Sequence, residues 1–188
     1  MKRTLIWALV GVLWGIGCGN DQTAKVSAAA EGSGQAAAKV IAGRGIMPAV
    51  TVKKGPAIDG TMKDPVWRKC PPMPLGECMT KNPGPMATTA RVLFDATTLY
   101  VGFHCAETDT DGLKADETQR DGGVWKDDSV EVFITGDIRT GYYHFSVNPA
   151  GTLFDAKCTG QKRDDTSYNS GAKVKTSTVK GKAWIVTM

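Results

Sequence analysis

The residues best suited to chemistry lie in and just before one short strand-like stretch, residues 125–134. The alternation sets Val130, Val132 and Ile134 against Ser129, Glu131 and Phe133. This period of two predicts a strand with one buried face. Trp125, Asp127 and Asp128 come immediately before it. At the edge of a strand such side chains are free to meet a ligand or an ion, so we expect a binding surface here.

The carboxylates allow two other kinds of site. Asp127 and Asp128 could bind structural calcium, because that ion prefers hard oxygen ligands in loops. They could equally be edge charges that discourage aggregation. A glycoside hydrolase needs two carboxylates about 5 to 9.5 Å apart across a cleft, and no carboxylate here has a recognisable catalytic setting. We therefore expect a protein that is not an enzyme.

The N-terminus has the pattern of an export signal. Lys2 and Arg3 precede an apolar run from Leu5 to Ile16. A run of roughly a dozen residues is too short to span a membrane and suits a signal core. Cys18 follows small residues and resembles the modified cysteine of bacterial lipoproteins, although Gly15 stands where that motif usually has Leu. We predict a signal peptide over 1–18 and a lipid anchor in a bacterial membrane; the alternative is an ordinary secretory signal with an incidental cysteine.

The rest of the chain divides into a tether and one domain. Residues 19–50 are rich in Ala, Gly, Ser, Gln and Lys, which predicts a disordered tether. Residues 51–188 are long enough for one folded domain. The net charge of +4 is scattered, and no basic run is interleaved with aromatic residues. Nucleic-acid binding is therefore not expected.

Export makes the cysteines candidates for disulfides. With Cys18 lipidated, four remain: Cys70, Cys78, Cys105 and Cys158. An even number in an oxidising compartment favours bridges, and three pairings are possible. We favour a bridge within the Pro-rich loop, between the first two, and a second bridge that joins two predicted strands. A zinc site is disfavoured because the sequence has no Cys-x-x-Cys pair.

The remaining pattern predicts an all-β fold. Alternating runs occur at 88–94, 99–105, 143–147, 173–179 and 183–188, and turn residues separate them. Pro56–Gly60 is expected to form a short strand that ends in a turn, and Trp67 to pack in the core. Short strands with hardly any helix indicate an antiparallel β-sandwich of the jelly-roll or immunoglobulin-like kind. Because the chain finishes inside an apolar strand, we expect a truncated product or a partner strand at an open edge.

Four segments in order resemble the family 9 carbohydrate-binding modules and their wider family-9-like relatives. The segments are 56–67, 90–101, 125–134 and 143–151, and the resemblance covers about residues 52–188. In that family two tryptophans sandwich a terminal sugar while polar side chains hold its hydroxyls. A pyranose suits such a site because its C–H faces stack on aromatic rings and its hydroxyls need donors and acceptors.

The resemblance implies particular sugar contacts. Trp125 matches the first tryptophan, Glu131 a hydroxyl-binding carboxylate and Glu107 a further acidic contact. The family's arginine lies on the strand where this chain has Ser146, and His144 on the same face could substitute for it in part. The second tryptophan belongs to a C-terminal part that is absent from this sequence. A one-sided platform is expected to bind weakly, with a millimolar dissociation constant or about 4 kcal/mol.

The resemblance also implies a role. We expect a non-catalytic carbohydrate-binding protein at the cell surface or in the periplasm, accessory to polysaccharide breakdown. One alternative is a haem-binding electron-transfer module, with ligands among His104, His144, Met79 and Met86. Another is a structural surface lipoprotein that binds no sugar.

Overall fold

The computed structural model describes residues 5–11, 39–41, 44–46, 49–76, 83–137, 139–159 and 164–188. Among these residues there are twelve strands, three short 3₁₀ turns and no α-helix. The strands are β1 (Leu5–Gly11), β2 (Lys39–Ile41), β3 (Arg44–Ile46), β4 (Val50–Thr51), β5 (Met73–Gly76), β6 (Pro83–Phe94), β7 (Leu99–Ala106), β8 (Ser129–Thr135), β9 (Tyr142–Val147), β10 (Leu153–Cys158), β11 (Lys175–Val179) and β12 (Ala183–Thr187). The 3₁₀ turns are Pro65–Lys69, Thr110–Gly112 and Val124–Lys126.

The strands form two main sheets and a small hairpin. The first sheet has the order β1-β8-β9-β10, and the second has the order β11-β12-β7-β6-β4, with β5 also paired to β6. β2 and β3 pair only with each other. The two main sheets make a sandwich, which confirms the predicted all-β class. None of the described residues belongs to a helix of the length and apolarity that a membrane crossing requires.

The core lies between the two sheets and follows the predicted alternation. Its members are residues that all occupy inward positions of their strands: Ala90, Val92, Val101, Phe103, Cys105, Val130, Val132, Phe145, Val147, Leu153, Trp184 and Val186. Burying a Val, Leu or Phe side chain contributes about 1.5–3 kcal/mol each. The opposite positions of β8 and β9 are consequently left on the outer face of the first sheet, where the candidate site lies.

A second cluster covers the outer face of the second sheet. Trp67 is 1% exposed and packs with Val52, Cys70 and Leu93, which confirms its prediction as a core residue. Asp64 starts the 3₁₀ turn that carries this tryptophan, since its carboxylate accepts a hydrogen bond from the Val66 amide at 2.9 Å. This cluster closes the sandwich on the side away from the candidate site.

The strand predicted at Pro56–Gly60 is wrong. No strand lies between β4 and β5 in the structure. The Asp64 carboxylate accepts a bond from the Ala57 amide at 3.0 Å, and the Asp59 carboxylate accepts one from Thr61 at 2.8 Å. Side chains thus take the amide groups that a neighbouring strand would need.

The structure describes only part of the predicted signal peptide and tether. The predicted signal core includes β1, which pairs in parallel with β8 over its whole length. The hairpin of β2 and β3 falls inside the predicted tether, while residues 12–38, with Cys18, lie outside the described residues. The boundaries at 18 and 50 therefore stay predictions.

The predicted bridge between Cys105 and Cys158 is wrong. Both thiols are buried and unbridged. Cys105 faces the core from β7, whereas Cys158 lies on the opposite side of the first sheet, beyond its core-facing residues. Its sulfur instead donates to the Asp164 carboxylate at 3.4 Å. The other predicted bridge involves Cys78, which lies outside the described residues, and stays a prediction.

Candidate binding face on the first sheet

The candidate site occupies the outer face of the first sheet. The register pairs Glu131 of β8 with Ser146 of β9, and Ser146 with Phe154 of β10. One step along, Phe133 pairs with His144. Because directly paired residues share a face, these five side chains form one patch, which we call the binding face.

Trp125 lies above the binding face in the 3₁₀ turn that precedes β8. Its neighbour Val124 is fully buried in a small cluster with Phe154 and Ala156. Trp125 itself is 41% exposed, and its ring meets Phe154 edge-on with centroids 5.1 Å apart and planes at 82°. The buried valine anchors the turn, and the indole is presented to solvent on an aromatic support.

Glu131 and His144 form a close pair at the centre of the binding face. Oε2 of Glu131 lies 2.9 Å from Nε2 of His144, and Glu131 is only 1% exposed. The imidazole stacks on Phe133, with centroids 4.3 Å apart and planes at 13°, and meets the edge of Phe154 at 5.2 Å. His144, predicted as a sugar contact, is thus engaged by the carboxylate through one of its two nitrogens.

Two buried hydroxyls lie beside this pair. Ser129 and Ser146 are fully buried, and within the described part of the chain neither Oγ has a hydrogen-bond partner. A buried hydroxyl without a partner is uncommon and calls for an explanation such as a water or a ligand group. β1 runs parallel to β8, and residue 7 of the chain is the one that pairs with Glu131. Ser146 and Glu131 lie beneath the surface, whereas Trp125 is exposed.

A hydrogen-bonded network holds the loop that presents Trp125. Oδ2 of Asp127 accepts bonds from the Glu117 amide at 2.8 Å and from Nδ2 of Asn148 at 3.0 Å. The Glu117 carboxylate in turn accepts the Gly123 amide at 2.9 Å. Hydrogen bonds from the Gln119 and Gly123 amides lower the pKa of Glu117.

Asp127 is the buried member of this network. Burial by itself raises the pKa of Asp127, but the bonds from Glu117, Asn148 and Lys114 outweigh it and lower the pKa overall. Neither Glu117 nor Asn148 was singled out from the sequence. Asn148 stands directly before Pro-Ala-Gly, and an Asn at the start of a turn often hydrogen-bonds to the backbone. This position could have indicated its role.

The carboxylates of Asp127 and Asp128, predicted as a possible calcium site, both contact Lys114. Oδ1 of Asp127 lies 3.3 Å from the Lys114 ammonium, and the Asp128 carboxylate accepts the Lys114 amide at 2.8 Å. Burial raises the pKa of Asp128, and the Glu107 charge adds to this effect. Over the part of the chain that the structure describes, no three His, Cys, Asp or Glu side chains cluster as a metal site. Nitrogen donors contact both carboxylates, and calcium binding at Asp127 and Asp128 stays a prediction.

Glu107 is separate from the binding face. It follows β7 in the second sheet, and its Oε1 accepts the Asp109 amide at 2.7 Å. The structure therefore brings together Trp125, Glu131, His144 and Ser146 on one face, but it gives Glu107 a local turn contact and a place near Asp128.

The two histidines lie on opposite outer faces of the sandwich. His104 alternates with core residues of β7 and is exposed on the second sheet, whereas His144 is on the first. Stacked sheets are about 10 Å apart, so the two imidazoles cannot bind one iron. Met79 lies outside the described residues, and the side chain of Met86 is not described either, so the haem alternative with a methionine ligand stays a prediction.

The fold and the binding face together define a β-sandwich module with an exposed aromatic platform. The model of the family described as carbohydrate family 9 binding domain-like matches residues 58–187. The chain belongs to this family, as the resemblance of its motifs predicted.

A solved structure has the same fold. It is that of a candidate carbohydrate-binding protein from Bacteroides uniformis, with a TM-score of 0.59 and 18% sequence identity. The match covers 74% of this chain and 69% of that one. At 18% identity, this structural similarity is evidence for a shared fold and not for a shared ligand. A search of curated proteins found no relative.

Proposed function

We propose that this protein binds carbohydrate through Trp125, without catalysing its breakdown. The observation that carries the proposal is the exposed indole, held edge-on against Phe154 on the face that also carries the buried Glu131 carboxylate. The flat ring offers a surface for the C–H face of a pyranose, and Glu131 offers oxygens for its hydroxyls. The family to which the chain belongs supports the same ligand class.

The affinity is expected to be modest. One aromatic platform covers one face of a sugar, and the carboxylate already accepts a bond from His144. We propose a millimolar dissociation constant for a monosaccharide, equivalent to about 4 kcal/mol. Many anchored copies on one cell would hold a polysaccharide more strongly than a single copy, because every contact after the first is intramolecular.

We also propose that the active form is exported and lipid-anchored through Cys18, at the cell surface or in the periplasm. The positive start, the short apolar run and the following cysteine support this proposal. In the processed chain the segment that contains β1 would be gone, and the edge of β8 beside Glu131 would be open to a ligand. An anchored module of this kind would act as an accessory to hydrolases that degrade the same polysaccharide.

Calorimetry on protein purified from bacterial membranes tests the proposal, because processing has then taken place. Glucose, xylose, cellobiose and xylobiose are titrated into the wild type and Trp125→Ala. We expect heats of binding with at least one sugar and a loss of about tenfold or more in affinity for the variant, since stacking on an aromatic ring is removed. Trp125→Phe serves as the control and should retain part of the affinity. Equal, flat heats for all three proteins would refute sugar binding at this face.

A further inference from the structure

His144 lies between two carboxylates. Its Nε2 is 2.9 Å from Oε2 of Glu131 on β8, and its Nδ1 is 3.9 Å from Oδ1 of Asp164 in the segment after β10. Only 12% of the His144 side chain is exposed, so the ring has little water to bond to. Protonated imidazole donates from both nitrogens, whereas neutral imidazole donates from one.

Among the described residues, His144 is the basic side chain that lies close to both Glu131 and Asp164. Phe133 stacks on one side of the ring and Phe154 meets it edge-on, and neither carries a charge. The other ionisable neighbours are the Cys158 thiol, bonded to Asp164, and Tyr142 next along the strand. Within the described ranges no lysine or arginine forms an ion pair with Glu131 or Asp164.

We propose that His144 is a positioning residue for Glu131, and that the proton on His144 sets the affinity for sugar; this inference rests on the proposed function. The protonated ring holds Oε2 by a charge-assisted bond and leaves Oε1 to accept a sugar hydroxyl. The same protonated ring attracts the Asp164 carboxylate, which lies 3.9 Å from Nδ1. Loss of the proton removes both attractions and leaves one neutral hydrogen bond.

The sign of the pH dependence follows from these states. The pair is fully charged only at pH values where His144 holds its proton and Glu131 has lost its own. Sugar affinity should be highest there and should fall on the alkaline side as His144 loses its proton. It should also fall on the acid side as Glu131 gains one. The expected loss from pH 5.5 to pH 8 is about threefold to tenfold.

Titration of cellobiose and xylobiose from pH 5 to pH 8.5 tests the proposal. His144→Gln should abolish the alkaline fall, because an amide donates to Glu131 without titrating. His144→Phe should weaken binding at every pH, because it keeps the stacking and removes the donor. His104→Gln is the matched control, since it removes the other histidine of the sequence, on the opposite face, and should keep the wild-type profile. An alkaline fall that persists in His144→Gln, or a flat wild-type profile, would overturn the proposal.

A sugar-free measurement separates this inference from the proposed function. Imidazole signals of His144 and His104 are followed by NMR against pH in the wild type and in Glu131→Gln. Coupling predicts that the variant moves the His144 titration to lower pH and leaves His104 unchanged. If neither sugar gives heat with the wild type, the proposed function fails. An unmoved His144 titration would overturn the positioning role whatever the calorimetry gives.

Discussion

The ring of Trp125 meets the ring of Phe154 edge-on, with centroids 5.1 Å apart and planes at 82°. Phe154 is 2% exposed and also contacts His144 at 5.2 Å. One buried phenyl ring therefore supports both the exposed indole and the imidazole that fixes Glu131. Phe154 lies on β10, which is an edge strand of the first sheet. The binding face therefore extends to this edge.

Removal of this support should affect stability and binding together. Phe154→Ala is expected to cost about 3–5 kcal/mol in the free energy of unfolding, because a large buried side chain leaves a cavity. Urea unfolding measures the loss, and calorimetry should show weaker sugar binding in any protein that remains folded. Phe154→Leu is the control and should cost less. Wild-type stability in Phe154→Ala would mean that the ring is not buried as described.

The network around Asp127 should make the free energy of unfolding fall as the pH is lowered into the acid range. The pKa of Asp127 is lowered in the folded state, so its contribution is complete above the ordinary range near pH 4 and is lost as pH falls through the folded value. Asp127→Asn should lower stability at pH 7 and flatten this acid dependence, as measured by urea unfolding from pH 7 to pH 2.5. Asp116→Asn is the control, because the Asp116 side chain is 79% exposed. Equal acid dependence in wild type and Asp127→Asn would contradict the network.

The buried hydroxyl of Ser146 should contribute little to stability. Its Oγ has no hydrogen-bond partner among the residues that the structure describes, so Ser146→Ala should change the free energy of unfolding by less than about 0.5 kcal/mol or raise it slightly. Ser146→Arg, which introduces the family's side chain on this strand, should cost about 1–3 kcal/mol because the position is fully buried. Urea unfolding of both variants checks this pair. A loss above 2 kcal/mol in Ser146→Ala would show that the hydroxyl has a partner.

The thiols of Cys105 and Cys158 should be protected in the folded protein. Burial raises the pKa of Cys105 to about 12, and burial also raises that of Cys158. A thiol reagent at pH 8 should label neither until guanidinium unfolds the chain. Val179→Cys provides a positive control, because Val179 is 43% exposed and should be labelled at once. A peptide that links Cys105 to Cys158 in a non-reducing digest would contradict the structure.

The sequence predicted the central strands well because their alternation is regular. The run 99–105 predicted both the strand β7 and its inward residues, and Trp67 was correctly predicted to be buried. Pro56–Gly60 was wrongly predicted as a strand because the signal was local, whereas the outcome depends on carboxylates several residues away. Pairing of cysteines failed for a related reason. Strand alternation predicts which residues of one strand share a face. It does not predict which of the two faces of a sheet packs against the other sheet, so it could not show that Cys105 and Cys158 point to different sides.

The candidate site was predictable in its composition and not in its contacts. Trp125 and Glu131 were singled out from their place beside and on one strand. The bond between Glu131 and His144 depends on the register of β8 against β9, which the long turn between the strands does not specify. Glu117 acts through a network that joins a loop to two strand ends, and such long-range polar contacts leave no periodic pattern in a sequence.

The most direct test of sugar binding at this face is the NMR of the sugar protons themselves. A pyranose stacked on Trp125 has the C–H protons of one face over the indole ring, where the ring current shifts them upfield. We predict upfield shifts of those protons of cellobiose or xylobiose with the wild type, together with nuclear Overhauser contacts to the Trp125 ring, and the loss of both in Trp125→Ala. Shifts of equal size in the two proteins would contradict the account.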